Sequence, residues 1–225
     1  MAANDPALIA ANIADIRRMA AEYGRDPSNL KFLSMFCPVL GKTEEEAKAK
    51  YEDYLSYASE EGFFALFGGW TGINMDTYGD EDELEYVESN AMRSAVRAWT
   101  DRTPGVPTWT KHTLAKYHAI GALGARFVGS PSQVADEMQR WVDVADLDGF
   151  NLAYAIFPGS FQDIAELLVP ELQARDMFWN DYAVPSGTYR ENLYSPGQNQ
   201  PLDEHIASKY KWRAGVAKED HSIPE

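Results

Sequence analysis

The sequence predicts an α/β fold, as an open layer or a barrel of parallel strands. Three segments of strand length each lead directly into a residue that can cap a helix, and a helical pattern follows each time. This order is typical of parallel strands joined by right-handed crossovers. The three units share the order without sharing a repeated sequence.

The first predicted elements are a helix and a strand. Asp5 can cap the helix, Pro6 suits its first position, and isoleucines follow at helical spacing until Gly24. The continuous apolar run over residues 30–41 then predicts a strand that is covered on both faces. A capping box over residues 43–46 starts the next helix.

The second and third units repeat this order. "FVGSPSQVADEM" resembles a phosphate-binding loop at first sight, but its spacing favours a strand, a cap at Ser130 and an amphipathic helix. "GFNLAYAIF", over residues 149–157, is a third predicted strand, and Ser160 is a weaker cap for the helix that follows. Pro170 should kink that helix or shorten its first half.

Two further regions extend this framework. A long insertion, about residues 61–125, offers two predicted helices over 84–99 and 110–119, and insertions of this size usually cover a pocket. From about residue 182 the chain is polar and rich in Pro and Gly, which predicts an extended arm without its own core. We therefore expect a barrel-type domain over 1–181 and an arm over 182–225.

Composition excludes several classes of function. The formal net charge of −15 disfavours a nucleic-acid interface, which needs clustered Lys and Arg. The single cysteine, Cys37, excludes an intramolecular disulfide, and its apolar surroundings favour a buried thiol over a nucleophile. Neither a membrane span nor a signal peptide is recognisable. We expect a cytoplasmic protein that does not act on membranes.

The histidines give one candidate for chemistry. The four of them show no metal-ligand spacing, so no metal site is predicted. His118 ends a predicted helix of the insertion, where it could act as a base or hydrogen-bond donor toward a substrate. A histidine at this position could also balance the helix dipole, and the sequence favours that role over the catalytic one.

Several long segments carry a family resemblance. "FGGWTGINMDTYG", "EYVESNAMRSAV", the run from "VGSPSQVADEMQRW" to "QARDMF", and the closing "TYRENLY" are similar to the C-terminal half of bacterial-luciferase-like flavin monooxygenases. The nitrilotriacetate and dibenzothiophene-sulfone branch is the most similar. The resemblance covers about residues 5–193. It implies a (β/α)8 barrel enzyme that takes reduced FMN from a separate flavin reductase and inserts oxygen from O2 into a small organic substrate.

The resemblance also implies site residues. Phe36 and Ala155 correspond to positions near the flavin, and Met35, Trp70 and Phe157 to positions near the substrate. Many relatives carry a glycine–histidine pair before the strand leading into "VGSP". This chain reads Gly-Ala-Arg over 124–126 instead, which leaves His118 as a substitute catalytic histidine.

The length of the chain qualifies the expected activity. Family members are about twice as long, so this chain should begin in the helix after the fifth strand and hold about three strands of the barrel. Three strands cannot close a barrel. The remaining strands would come from another chain, as a missing barrel half or in a homo-oligomer. The alternative is a non-catalytic half-barrel that serves as an interaction module or pseudoenzyme.

Overall fold

A computed structural model describes residues 5–82, 84, 109–120, 124–202, 204–210 and 215. The chain divides into two compact units, Met1–Arg175 and Asp176–Glu225. Within the described residues, no helix is long and apolar enough to cross a bilayer. The predicted domain boundary at residue 181 stays a prediction.

The first unit alternates helices and strands, as the three predicted units require. Its strands are β1 (Leu33–Leu40), β2 (Ala125–Gly129) and β3 (Gly149–Leu152). The longer helices are α1 (Pro6–Glu22), α2 (Glu44–Ser56), α3 (Glu60–Thr71), α4 (Lys111–His118) and α5 (Pro131–Ala145). The last helical stretch is α6 (Gly159–Asp163), a π-helical turn (Ile164–Leu168) and α7 (Val169–Ala174).

The three strands form one parallel sheet in the order β2–β1–β3. Phe36 of β1 pairs with Ala125 on one side and with Leu152 on the other. The first strand is therefore central, and β2 and β3 form the edges of the described sheet. The prediction of an α/β fold with three parallel strands is confirmed.

Apolar side chains of β1 and α5 form the core of this unit. Trp141 and Phe36 are each 1% exposed, and their rings meet edge to face at a centroid distance of 6.1 Å. Phe150 of β3 adds a second edge contact to Phe36 at 5.5 Å. Cys37 is fully buried beside them in β1, and burial raises the pKa of its thiol to about 11. The prediction of a buried, uncharged thiol is confirmed.

A hydrogen bond and several ion pairs connect the segments at the amino ends of β1 and β3. The Asp148 carboxylate accepts the Phe32 amide at 2.8 Å and lies 3.1 Å from the Lys31 ammonium. The Arg17 guanidinium binds Asp146 at 2.8 Å and lies 4.9 Å from the centre of the Phe32 ring. In a barrel, this end of the strands usually serves stability.

The helix starts predicted at Asp5, Thr43 and Ser130 are confirmed by their caps. The cap predicted at Ser160 is wrong, because the helix begins at Gly159 and Ser160 lies inside its first turn. The side chains of Asp5 and Thr43 accept hydrogen bonds from amides in the first turns of α1 and α2. Ser130 and Gln133 form a complete capping box at α5. The effect predicted for Pro170 takes the form of the π-helical turn that ends beside it. Because proline has no amide to donate, the regular bonding pattern cannot run through this position.

The third strand is shorter than the predicted 149–157, because β3 ends at Leu152. Ala153 still donates to the Phe36 carbonyl at 2.8 Å, but the amides of Ala155 and Ile156 turn away to a side chain of α6. Of the insertion helices, α4 matches the second prediction. The first, over residues 84–99, lies outside the described residues apart from Leu84.

Among its described residues, the second unit contains the short helix α8 (Tyr189–Leu193) and a 3₁₀ turn (Ile206–Tyr210). Thr188 and Glu191 form the capping box of α8. Its chain is folded back locally, since the Asn192 side chain accepts the Val184 amide at 2.9 Å. None of the α8 side chains is buried.

Candidate functional site

The segment after β3 carries two of the predicted site residues, Ala155 and Phe157. We call residues 153–158 the β3–α6 loop. It lies at the carboxyl end of the parallel strands, where α/β folds place their ligands. The Ser160 hydroxyl oxygen accepts the amides of Ala155 and Ile156, both at 3.1 Å. A single side chain of α6 thus fixes the backbone of this loop.

Three exposed aromatic rings surround the same loop. Phe157, Tyr154 and Phe161 are 75%, 52% and 40% exposed. Their centroids are separated by 5.4 Å for Tyr154 and Phe161, 6.2 Å for Phe157 and Phe161, and 6.3 Å for Tyr154 and Phe157. We call these three residues the aromatic cluster. Such rings offer apolar faces and edges to a planar ligand.

The two candidates on β1 have different surroundings. The Phe36 side chain is enclosed by Trp141 and Phe150, so the group that it turns toward the β3–α6 loop is its carbonyl oxygen. Met35 is half-buried next to Gly124, where an added Cβ would lie 2.8 Å from the Met35 carbonyl oxygen. Glycine is therefore required for β2 to approach β1 at this point. The roles of Phe36 and Met35 in binding stay predictions.

The described part of the insertion has its own hydrophobic cluster, separate from the Phe36–Trp141 core. The buried members come from α3, α4 and the turns beside them: Phe63, Phe67, Met75, Trp109, Leu114 and Ala115. The insertion begins with a run of aromatic residues and glycines, for which the sequence predicted no helix. That run forms α3, which ends at Gly72 with a left-handed φ of 74°.

His118 is buried within this insertion. Its imidazole stacks on the rings of Phe63 and Trp109, with centroids at 6.2 and 6.3 Å. The ring of Tyr117 meets it edge to face at 5.1 Å. These contacts give His118 a packing role, and its catalytic role stays a prediction. Trp70 lies on α3 with over a third of its surface exposed, and its role toward a substrate is likewise untested.

Arg126 lies in the segment 124–126, where the resemblance implied a glycine–histidine pair. Its guanidinium lies between the rings of Tyr51 and Tyr117, 4.9 and 4.8 Å from their centroids. The same group donates to the Tyr117 carbonyl and, at 3.0 Å, to the Ile120 carbonyl. Arg126 therefore joins β2, α2 and the carboxyl end of α4, a role that sequence reasoning missed.

On the surface, a polar contact of His112 connects α4 to α3. The His112 imidazole bridges Glu60, at 2.6 Å, and Asp80, at 3.2 Å. Hydrogen bonding to Glu60 and then to Asp80 raises the pKa of His112. In the described part of the chain, no group of three or more His, Cys, Asp or Glu side chains is placed to hold a metal ion.

The aromatic cluster is suited to the ring system of a flavin, because exposed aromatic faces stack on planar ligands. A phosphate needs converging N–H donors or cations. The amides that converge in the β3–α6 loop, those of Ala155 and Ile156, already donate to Ser160. The described loop therefore fits the isoalloxazine of FMN and does not supply a site for its phosphate.

Comparisons with known proteins identify the family of the chain. The family model described as luciferase-like monooxygenase matches residues 1–146. Dimethyl-sulfide monooxygenase of Hyphomicrobium sulfonivorans is 38% identical over 205 residues, which are 91% of this chain and 42% of that protein. Nitrilotriacetate monooxygenase component A of Aminobacter aminovorans is 32% identical over 187 residues, 80% of this chain and 40% of that protein.

Solved structures give the same result. The crystal structure of DmoA from Hyphomicrobium sulfonivorans superposes with a TM-score of 0.81 and 33% identity, over 100% of this chain and 47% of that one. A riboflavin lyase structure with modified FMN and riboflavin gives a TM-score of 0.77 and 28% identity, over 95% of this chain and 46% of that one. The chain thus spans less than half the length of the relatives it matches.

Proposed function

Since this chain belongs to the luciferase-like monooxygenase family, we propose that it forms the C-terminal part of a flavin-dependent monooxygenase site. The observation that carries the proposal is the exposed aromatic cluster, which stands on a fixed loop at the carboxyl end of β3. Reduced FMN, when bound, supplies the electrons that activate O2 for transfer to a small organic substrate.

The residues of this chain have positioning roles in that site. Phe157 and Tyr154 offer ring faces to the isoalloxazine or to the substrate. Ala155 lies between them in sequence and is the candidate flavin contact. Met35 and Trp70 are candidate substrate contacts. His118 is the candidate for moving a proton at its imidazole, and Phe36 contributes its carbonyl to the β3–α6 loop. Packed aromatic residues would also keep water away from the reaction.

The partners of the site follow from the same family. A separate flavin reductase would deliver reduced FMN, which is supported by the relative named as component A of nitrilotriacetate monooxygenase. The remaining strands of the barrel, including the phosphate site, would complete the site from outside the residues of this sequence, which covers 42% of its dimethyl-sulfide monooxygenase relative. Reduced FMN and its reductase are intracellular, so we place the protein in the cytoplasm.

A second function is favoured by one observation. Both edges of the described sheet, β2 and β3, are without a neighbouring strand among the described residues. Such edges pair readily with other chains. A non-catalytic interaction module would use these edges to bind another subunit and would need no flavin.

Titration with reduced FMN separates the two functions. The purified chain is mixed anaerobically with chemically reduced FMN, and flavin fluorescence and melting temperature are followed. A complete site would bind reduced FMN at micromolar concentration or tighter. This part of the site lacks the phosphate contacts and should bind more weakly, and Phe157→Ala should weaken the binding about tenfold further through loss of a stacking ring. Tyr23→Ala is the matched control, because Tyr23 is equally exposed at the end of α1. No response of the wild-type chain to FMN would refute the enzymatic proposal and favour the interaction module.

A further inference from the structure

We propose that Ser160 is the positioning residue of the candidate site. Its hydroxyl oxygen fixes the β3–α6 loop, and this determines how Ala155 and Phe157 face the ligand. The inference rests on the function proposed above. From the sequence Ser160 was only a weak helix cap, whereas the structure places it inside the first turn of α6, with its side chain turned back to the loop.

The geometry is that of one acceptor shared by two neighbouring amides. Ala155 and Ile156 both donate to the Ser160 oxygen at 3.1 Å. The Ser160 amide in turn donates to the Ile156 carbonyl at 3.1 Å. Bonds therefore run in both directions between Ser160 and the loop, and they close a small ring of backbone around it.

These two amides need an acceptor because the strand has ended. Ala153 is the last residue after β3 whose amide reaches the β1 backbone, through the Phe36 carbonyl. Ser160 is only 4% exposed, so water has little access to replace its oxygen. A buried amide without a partner carries a desolvation cost. The loop would then change its conformation to find another acceptor.

The aromatic cluster is built directly on this ring of bonds. Tyr154 precedes the fixed amides, Phe157 follows them, and Phe161 is the next residue after Ser160. The Tyr154 and Phe161 rings lie 5.4 Å apart, one on each side of the hydroxyl in sequence. A change in the backbone at 155–156 therefore moves the rings relative to one another. Ser160 acts through these residues, without touching the ligand itself.

Two pairs of variants test the inference. Ser160→Ala removes the acceptor. Ser160→Thr keeps the hydroxyl. Ser160→Val has nearly the same size and shape as Ser160→Thr but carries a methyl group in place of the hydroxyl. Ser130→Ala is the matched control, because Ser130 also accepts a backbone amide, that of Gln133, directly after a strand, β2, on the other side of β1. The first measurement is amide hydrogen exchange at Ala155 and Ile156 by NMR, which requires no flavin.

We expect exchange of these two amides to become about tenfold faster or more in Ser160→Ala and Ser160→Val, as the loss of hydrogen bonds predicts. Ser160→Thr should exchange like the wild type, and Ser130→Ala should leave both amides unchanged. The second measurement is the dissociation constant of reduced FMN. It should rise about tenfold in the variants without the hydroxyl and stay within about twofold in Ser130→Ala and Ser160→Thr.

Each outcome either supports or overturns the inference about Ser160. Unchanged exchange in both Ser160→Ala and Ser160→Val overturns the inference. Faster exchange with unchanged FMN affinity also overturns the inference, because the conformation of the loop would then have no effect on FMN binding. A wild-type chain that binds no FMN refutes the proposed function instead. The Thr and Val pair keeps the test decisive even where Ser160→Ala fails to fold.

Discussion

Replacing Arg126 by methionine should release the insertion from the sheet. The guanidinium donates to the carbonyls of Tyr117 and Ile120 and lies between the rings of Tyr51 and Tyr117. Methionine keeps an unbranched apolar side chain but has neither the charge nor the donors. The carboxyl end of α4 then loses its tie to β2.

The expected cost can be built from these contacts. A hydrogen bond from a charged donor contributes about 1.5–3 kcal/mol, and each ring contact at a partly exposed site about 0.5–1 kcal/mol. The two hydrogen bonds and the two ring contacts of Arg126 together contribute roughly 4–8 kcal/mol. Even where methionine recovers the ring packing, the two lost hydrogen bonds remain, so we expect a loss of at least about 3 kcal/mol in the stability of α4. Since 1.36 kcal/mol corresponds to a factor of ten in an equilibrium constant, a loss of about 3 kcal/mol raises the equilibrium constant for opening of α4 about 150-fold.

Hydrogen exchange followed by mass spectrometry measures this loss locally. Amides of α4 should exchange about 150-fold faster in Arg126→Met, while those of α5 should change little. Arg17→Met is the control, because Arg17 also lies over a ring, that of Phe32, but at the amino ends of the strands. The reasoning fails if α4 exchanges at the wild-type rate in Arg126→Met, or equally fast in both variants.

Two further predictions concern a close approach and a titrating contact. Gly41→Ala should destabilise the chain by about 1–3 kcal/mol in urea unfolding, because the new Cβ would lie 2.8 Å from the Glu46 carbonyl carbon at the start of α2. Gly69→Ala in α3, where a Cβ meets nothing within 4 Å, should be neutral or stabilising, and equal losses in both would contradict the argument. The raised pKa of His112 means that its bridge between Glu60 and Asp80 is fully formed below about pH 6.5 and weakens as pH rises through the folded pKa. Protection of the α4 amides relative to their intrinsic exchange rates should therefore fall over that range in the wild type but not in His112→Gln; the same fall in protection in both would remove His112 from the explanation.

Local features of the fold were predictable from the sequence because they depend on neighbouring residues. The caps at Thr43 and Ser130 and the disturbance before Pro170 each follow from the chemistry of one residue within a helical turn. The three parallel strands followed from the apolar runs and the caps behind them. The sheet order β2–β1–β3 did not, because a strand's own residues carry little information about which strand lies beside it.

The candidate site was less predictable for the same reason. Phe157 and Ala155 were selected by resemblance, and the structure places both in the β3–α6 loop. The bond from their loop to Ser160 depends on where β3 ends, and hydrophobic pattern overestimated that strand by five residues, from 153 to 157. The spacing of Tyr154, Phe157 and Phe161 was a signal that could have indicated the aromatic cluster, since these positions share one side of a turn.

The separate hydrophobic cluster of the insertion also bears on how such a protein can diversify. Phe63, Trp109 and their neighbours pack against one another, and the Phe36–Trp141 core of the sheet does not depend on them. Substitutions can accumulate in the insertion while the sheet keeps its own packing. Selection can therefore reshape the insertion at little risk to the scaffold, provided that the attachment at Arg126 is retained.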